Sequence, residues 1–330
     1  MRFFVESCQI IKMKKLFTKV GRVEYPFKIG YEKGIMLWGS CFSEHIYERL
    51  KRFQFDVLSN PFGISYNPVS IAEGMNCLLS KKFINEENLI INEERYYAYD
   101  FHGSFSGNTP ERALSVMNES IRKGAAFLRK TKILILTLGT ANAFYLKDSN
   151  QIVNNCHKMP GSHFDKKMLS VAEVYQALSG VFERLPEMQI LLTVSPVRHI
   201  RDGLVTNQRS KSTLLLAARQ LADDHENVYY FPSYEIMVDE LRDYRFYKDD
   251  LIHPSDWAVD YIWERFKTAF FDEETLSLQS RIEKLWIAGQ HRPLYPDSDA
   301  HRAFVARRLE LIKELEDEYP FLRGRIEGEG

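Results

Sequence analysis

Residues 132–138 read Lys-Ile-Leu-Ile-Leu-Thr-Leu, and Gly139-Thr140-Ala141-Asn142 follow at once. A continuous apolar run of this length, preceded by the helical pattern of Arg112 to Lys130, reads as a strand buried on both faces. Working outward, the same alternation recurs. Gly34 to Trp38 is a short apolar run followed by a helical pattern over Ser43 to Arg52. Val171 to Leu185 reads as a helix and Gln189 to Val194 as a second buried strand. Ser210 to Asp223 reads as a helix and Asn227 to Phe231 as a strand. Buried strands separated by helices predict an α/β fold, with a parallel sheet covered on both faces. Beyond Ser255 the pattern is helical only, ending in the charged stretch His301 to Glu318, where Glu310, Lys313, Glu314 and Glu316 read as a solvated face.

Composition agrees. The chain has 330 residues, 45% hydrophobic and 27% charged, which excludes wholesale disorder. Lys+Arg 44 against Asp+Glu 45 leave a net charge of −1, so nothing in the balance points to nucleic acid or an anionic membrane. No run approaches the ~18 apolar residues of a membrane span. Cys8, Cys41, Cys77 and Cys156 are too few for a disulfide scaffold, and a reducing, cytoplasmic compartment is expected. The apolar stretch Met1 to Ile11 has its charges, Lys14 and Lys15, after it rather than before. It therefore reads as an extension ahead of an alternative start at Met13 rather than a targeting segment.

In parallel sheets, ligands sit at the carboxyl ends of the strands. Four tracts qualify by position: Gly39-Ser40-Cys41-Phe42-Ser43-Glu44, Asn60-Pro61-Phe62-Gly63-Ile64-Ser65, Gly139-Thr140-Ala141-Asn142 and Asp250-Leu251-Ile252-His253-Pro254-Ser255. Cys41 lies between a strand end and a helix that Ser43 is placed to cap, and a helix N-terminus lowers a cysteine pKa. On the late turn, Asp250 can accept from one imidazole nitrogen of His253 and leave the other facing a nucleophile. Alone, an inert buried cysteine explains Cys41 equally well, and an Asp capping a turn beside a surface His explains the Asp250–His253 spacing better.

The four tracts, in this order, resemble the blocks of the SGNH (GDSL-like) hydrolases, and the sequence looks more narrowly like the GSCFA family. Ser195-Pro196-Val197-Arg198-His199, Asn207-Gln208-Arg209-Ser210-Lys211 and Phe231-Pro232-Ser233-Tyr234 also resemble that family. The resemblance implies a three-layer, flavodoxin-like parallel sheet. Its domain organisation would be an extension over residues 1–20, an SGNH-like domain over 21–272 and a C-terminal helical extension over 273–330 packed on it. Overlaid without a gap, the family's nucleophilic serine falls on Cys41. This implies a triad of Cys41, His253 and Asp250, with Ser40 as the alternative nucleophile after a one-residue slip. The resemblance also implies an oxyanion hole from the Cys41 N–H, Gly63 and Asn142, although Ala141 stands where the family's Asn is expected.

Arg198 and His199 are read equally as substrate contacts or structural ion-pair partners, and Asn207 is carried as a binding candidate. His102, after the aromatic run Tyr96 to Phe101, reads as a structural histidine with substrate contact as the other reading. Cys156, His157 and His163 do not make a zinc set, and no metal or cofactor is expected. There is no phosphate loop or dinucleotide motif. The expected activity is cleavage or transfer of an ester-linked acyl group on a small molecule, with acylated carbohydrate as a substrate by analogy. The rival readings are a binding protein that keeps the pocket and a redox-sensing cysteine protein.

Overall fold

The computed structural model describes residues 18–290 and 294–326. The expected extension therefore lies outside the described residues up to position 17, with Met13 and Cys8. Five strands form the central sheet: β1 (Gly34–Gly39), β2 (Val57–Ser59), β3 (Thr131–Leu138), β4 (Gln189–Val194) and β5 (Val228–Tyr230). Their order is β5-β4-β3-β1-β2, and every pairing is parallel. The major helices are α1 (Cys41–Arg52), α2 (Pro68–Ser80), α3 (Pro110–Leu128), α4 (Val171–Phe182), α5 (Leu204–Asp224), α6 (Asp256–Phe270), α7 (Glu273–Gly289) and α8 (Asp299–Glu318).

Side chains alternate across a strand, so each central strand feeds two cores. Met36 and Trp38 of β1, with Leu134 and Leu136 of β3, pack with residues of α2, α3, α4 and α5. Ile35 and Leu37, with Ile133 and Ile135, pack on the other face with α1, α6 and the C-terminal helices through Leu278, Ile282, Ile312 and Leu315. This double cover is why GIMLWG is buried along its whole length. It is the three-layer α/β arrangement expected from the sequence.

The strand order reverses between β1 and β3, where Gly39 pairs with Thr137, so the crevice of this sheet opens at their carboxyl ends. Two insertions interrupt the alternation of strands and helices. One is the hairpin Ile90–Asn92/Arg95–Tyr97; the other is an antiparallel sheet of Asn142–Leu146, Ile152–Val153 and Phe164–Met168. The last of these strands is exposed at four of its five positions, so it lacks the apolar alternation that reveals a strand.

Two helix starts differ from expectation. Helix α1 begins at Cys41, with Ser40 rather than Ser43 as its cap, and Ser43 is buried one turn in. Helix α5 begins at Leu204, ahead of the expected Ser210. Its first turns turn Asn207, Ser210 and Lys211 inward, so the buried face is polar and gives no apolar periodicity. Among the described residues no helix is long and apolar enough to cross a membrane.

Candidate functional site

The turn from β1 into α1 is fixed before any side chain acts. Gly39 has φ +142°, and a Cβ there would lie 2.1 Å from Thr137 O, so only glycine fits. Its N–H donates to Asn60 Oδ1 at 2.8 Å, and its carbonyl accepts from Ser65 N at 3.0 Å. Asn60 Nδ2 in turn donates to Glu44 Oε1, which also accepts from Ser59 Oγ at 2.6 Å. The first two tracts are thus braced against each other.

Ser40 is fully buried, its Oγ accepting from Phe42 N at 3.4 Å. Cys41 is only partly buried and stands at the first helical position. Burial pushes its thiol up. The N–H groups of Cys41 and Phe42 and the Lys211 ammonium pull it back, while Glu44 adds to the rise. The helix terminus does not by itself produce the depressed thiol expected from the sequence, because desolvation is the larger effect.

Asp250 and His253 share one hydrogen-bonded turn. Asp250 Oδ2 bonds His253 Nδ1 at 2.7 Å, while Oδ1 accepts from Ile252 N at 2.8 Å and His253 N at 3.0 Å. These donors hold the Asp250 carboxyl down at about 2. With Nδ1 engaged, Nε2 is the nitrogen left for proton transfer. Ser255 caps α6 through Ala258 N, as expected. Arg198 secures this loop: its N–H donates to Ile252 O at 3.1 Å and its guanidinium to Leu251 O at 2.9 Å, lying over Tyr244 and Tyr247. A carbonyl, rather than an ion pair, is its structural partner.

Between the two halves lie His199, Tyr66 and Lys211. The His199 N–H donates to Asn207 Oδ1 at 2.8 Å, and its ring meets Tyr66 edge-on at 5.5 Å. His199 Nε2 is buried without a hydrogen-bond partner among the described residues. Burial, followed by the charge of Lys211 and then of His253, holds this imidazole down at about 4, so it is neutral at physiological pH. Lys211 and Tyr66 feel Cys41, and His199 feels both Lys211 and His253, so these groups share one electrostatic neighbourhood. Among the described residues Cys41 Sγ and His253 share no hydrogen bond. A cavity of about 480 Å³ adjoins this region, lined in part by Pro196, Arg198, Asn207, Tyr234 and Tyr247.

The other oxyanion candidates are already engaged. Gly63, at φ +79°, donates its N–H to Asn60 O at 2.7 Å, and a Cβ there would lie 2.2 Å from His102 Cβ. His102 bonds Ser104 through Nδ1 at 3.0 Å, a local structural role. Asn142 Nδ2 turns back to Thr140 Oγ1 at 3.3 Å, and Ala141 N donates to Ser210 Oγ at 2.7 Å. His157 bonds Ala98 O at 2.9 Å through Nε2. No group of three or more His, Cys, Asp or Glu among the described residues is placed to hold a metal.

Lys211 was not singled out as a site residue from sequence. Its only signal was membership of the Asn207–Lys211 tract, because an inward lysine on a helix looks like any surface lysine in one dimension.

A family model described as the GSCFA family matches residues 34–266, and one described as GSCFA domain protein, C-terminal domain, matches residues 282–327. Among curated proteins none matches. Similar solved structures include the psychrotrophic esterase EstA from Pseudoalteromonas sp., at 11% identity and TM-score 0.35, covering 72% of this chain and 96% of that one. Another is a carbohydrate esterase family 3 protein from Talaromyces cellulolyticus, at 9% identity and TM-score 0.35, covering 75% of this chain and 98% of that one.

Proposed function

Because the chain belongs to the GSCFA family, we propose that it cleaves or transfers an ester-linked acyl group through Cys41, with His253 as base and Asp250 as its orienting carboxylate. The observation that carries this reading is the Asp250–His253 pair at 2.7 Å, locked by two backbone N–H donors to the same carboxylate. That arrangement fixes the tautomer and ring direction a general base needs.

His253 Nε2 takes the thiol proton as Cys41 Sγ adds to the acyl carbonyl. The Cys41 N–H, at the head of α1, faces the developing oxyanion. Collapse breaks the ester C–O bond, and the imidazolium returns its proton to the leaving alkoxide. The acyl-Cys41 thioester then passes to water or to another hydroxyl, giving hydrolysis or transfer. Acylated carbohydrate is the first substrate class to test, by analogy with related SGNH enzymes.

Ser40, buried and committed to Phe42 N, is the weaker nucleophile. A second reading, a binding protein that retains the pocket, is favoured by one observation: the Gly63 N–H and the Asn142 amide are both engaged elsewhere. Release of p-nitrophenol from p-nitrophenyl acetate separates the two. Turnover that falls to the uncatalysed rate in both Cys41→Ala and His253→Ala supports acyl chemistry. Equal release by wild type and both variants favours the binding protein.

A further inference from the structure

The cavity of about 480 Å³ takes in Pro196, just past the end of β4, so it lies at the carboxyl end of the sheet. One wall is tied to the candidate base: Tyr247 bridges to Pro254, and the Lys248 N–H donates to His253 O at 2.8 Å. Much of the lining is apolar, with Leu204, Val205 and Val238 beside the rings of Tyr244 and Tyr247. The polar lining is unbalanced. Arg198 gives one N–H to Leu251 O and has no carboxylate within ion-pair distance among the described residues. A guanidinium has five N–H donors, so most of them remain available. Asn207 is only 7% exposed, and its Oδ1 accepts from the His199 N–H at 2.8 Å. That bond fixes the orientation of the amide and leaves Nδ2 without a partner among the described residues. The acceptors, by contrast, are already engaged. Gln208 Oε1 accepts from Tyr234 OH at 2.9 Å, and Asp243 accepts from the Arg245 N–H at 2.9 Å and its guanidinium at 3.1 Å. Arg242, the other cation of the lining, lies 3.8 Å from Asp239. Open donors and one uncompensated positive charge are what this cavity presents.

We propose that this cavity is a subsite for a carboxylate carried by the acyl group of the ester substrate, with the Arg198 guanidinium and Asn207 Nδ2 as its donors. The substrate class is then the half-ester of a dicarboxylic acid, its free acid end held at Arg198 and Asn207. The substrate assignment rests on the acyl-ester reading; the carboxylate site itself does not. A carboxylate presents two acceptor oxygens in a plane, which suits a guanidinium edge and a neighbouring amide N–H. It also supplies the acceptor that the buried Asn207 amide lacks within the fold, and an unmet buried donor is costly. An uncharged acyl chain would leave both donors unpaired, so the site discriminates against it. One free cation matches a monoanion; a phosphate dianion would call on Arg242, which Asp239 already accompanies. The apolar walls suit the methylene chain between the two carbonyl carbons. Arg198 and Asn207 determine specificity here and take no part in the bond-breaking step.

Calorimetric titration of the full chain with hexanoate and with its neutral isostere hexanamide tests the site without turnover. Wild type should bind hexanoate about 10-fold or more tightly than hexanamide. Arg198→Met should erase that preference. Because Arg198 also holds Leu251, a second variant leaves the loop alone: Asn207→Asp keeps an acceptor for the His199 N–H and replaces the open donor with negative charge. It too should erase the preference. Equal affinity for the two probes in wild type, binding of neither, or a preference that survives in folded Asn207→Asp overturns the inference. Tighter binding of hexyl phosphate than of hexanoate overturns the choice of a carboxylate. The substrate assignment is read from wild-type kcat/KM, which should be about 10-fold or more higher for mono-p-nitrophenyl glutarate than for p-nitrophenyl butyrate. Equal values overturn it. Hexanoate preference with neither ester cleaved upholds the carboxylate site and removes the acyl-ester reading. Cleavage of both esters without hexanoate preference does the reverse.

Discussion

Glu44 and Asn60 are hydrogen-bonded side chain to side chain, and Asn60 passes that constraint to Gly39 through a 2.8 Å bond. The acid of the first tract thereby holds the backbone that presents Cys41. Glu44→Ala leaves Asn60 Nδ2 and the Ser59 hydroxyl without their acceptor. It should cost roughly 1–3 kcal/mol of stability by urea unfolding. If Glu44→Ala unfolds like wild type, the brace has no energetic weight.

Asp250→Asn should keep the fold, because the turn is exposed and its amide oxygen still accepts from the Ile252 and His253 backbone. It should lower turnover on the order of 10²–10⁴-fold by releasing the imidazole tautomer. The depressed Asp250 carboxyl, at about 2, makes its hydrogen-bonded dyad a feature of all pH values above that point, lost only as pH falls through it. Activity in Asp250→Asn within a few-fold of wild type would show that the carboxylate does not orient a base.

Gly39→Ala is expected to prevent correct folding of the turn between β1 and α1, since its methyl would collide with Thr137 O and the backbone is in a region L-residues avoid. Soluble, cooperatively unfolding Gly39→Ala protein would contradict the geometry of the turn.

Lys211 also leaves a mark on stability. Its amine is held at about 7 in the folded chain, below the ordinary value of 10.5. Between these two pH values the unfolded state binds the extra proton. The Lys211 contribution to stability therefore rises with pH across that window. Wild type minus Lys211→Met, measured by urea unfolding at several pH values, should show this rise. A flat difference would mean that the amine is not displaced on folding.

The sheet was legible because β3 and β4 are continuous apolar runs, and the Asp250 turn because its spacing, Pro254 and Ser255 all favour the same local structure. The polar inward face at the start of α5 was not legible. Asn207, Ser210 and Lys211 read in one dimension as a solvated stretch, and only the carbonyls of Gly139 and Ser195, distant in sequence, show why they turn in. The Cys41 environment was half legible: its place at a helix start follows from the motif, but the burial that raises its thiol depends on elements from across the chain. The engagement of Gly63 with Asn60 and of Asn142 with Thr140 likewise depends on loop conformation, which motif spacing does not specify.

The most direct test of the central claim is the mass of the chain after incubation with p-nitrophenyl acetate, followed by mapping of the modified peptide. The account predicts one acetyl group on Cys41, absent in Cys41→Ala, and retained in Ser40→Ala despite loss of the cap to Phe42. Acetylation that survives Cys41→Ala and disappears in Ser40→Ala would contradict it and move the nucleophile to Ser40.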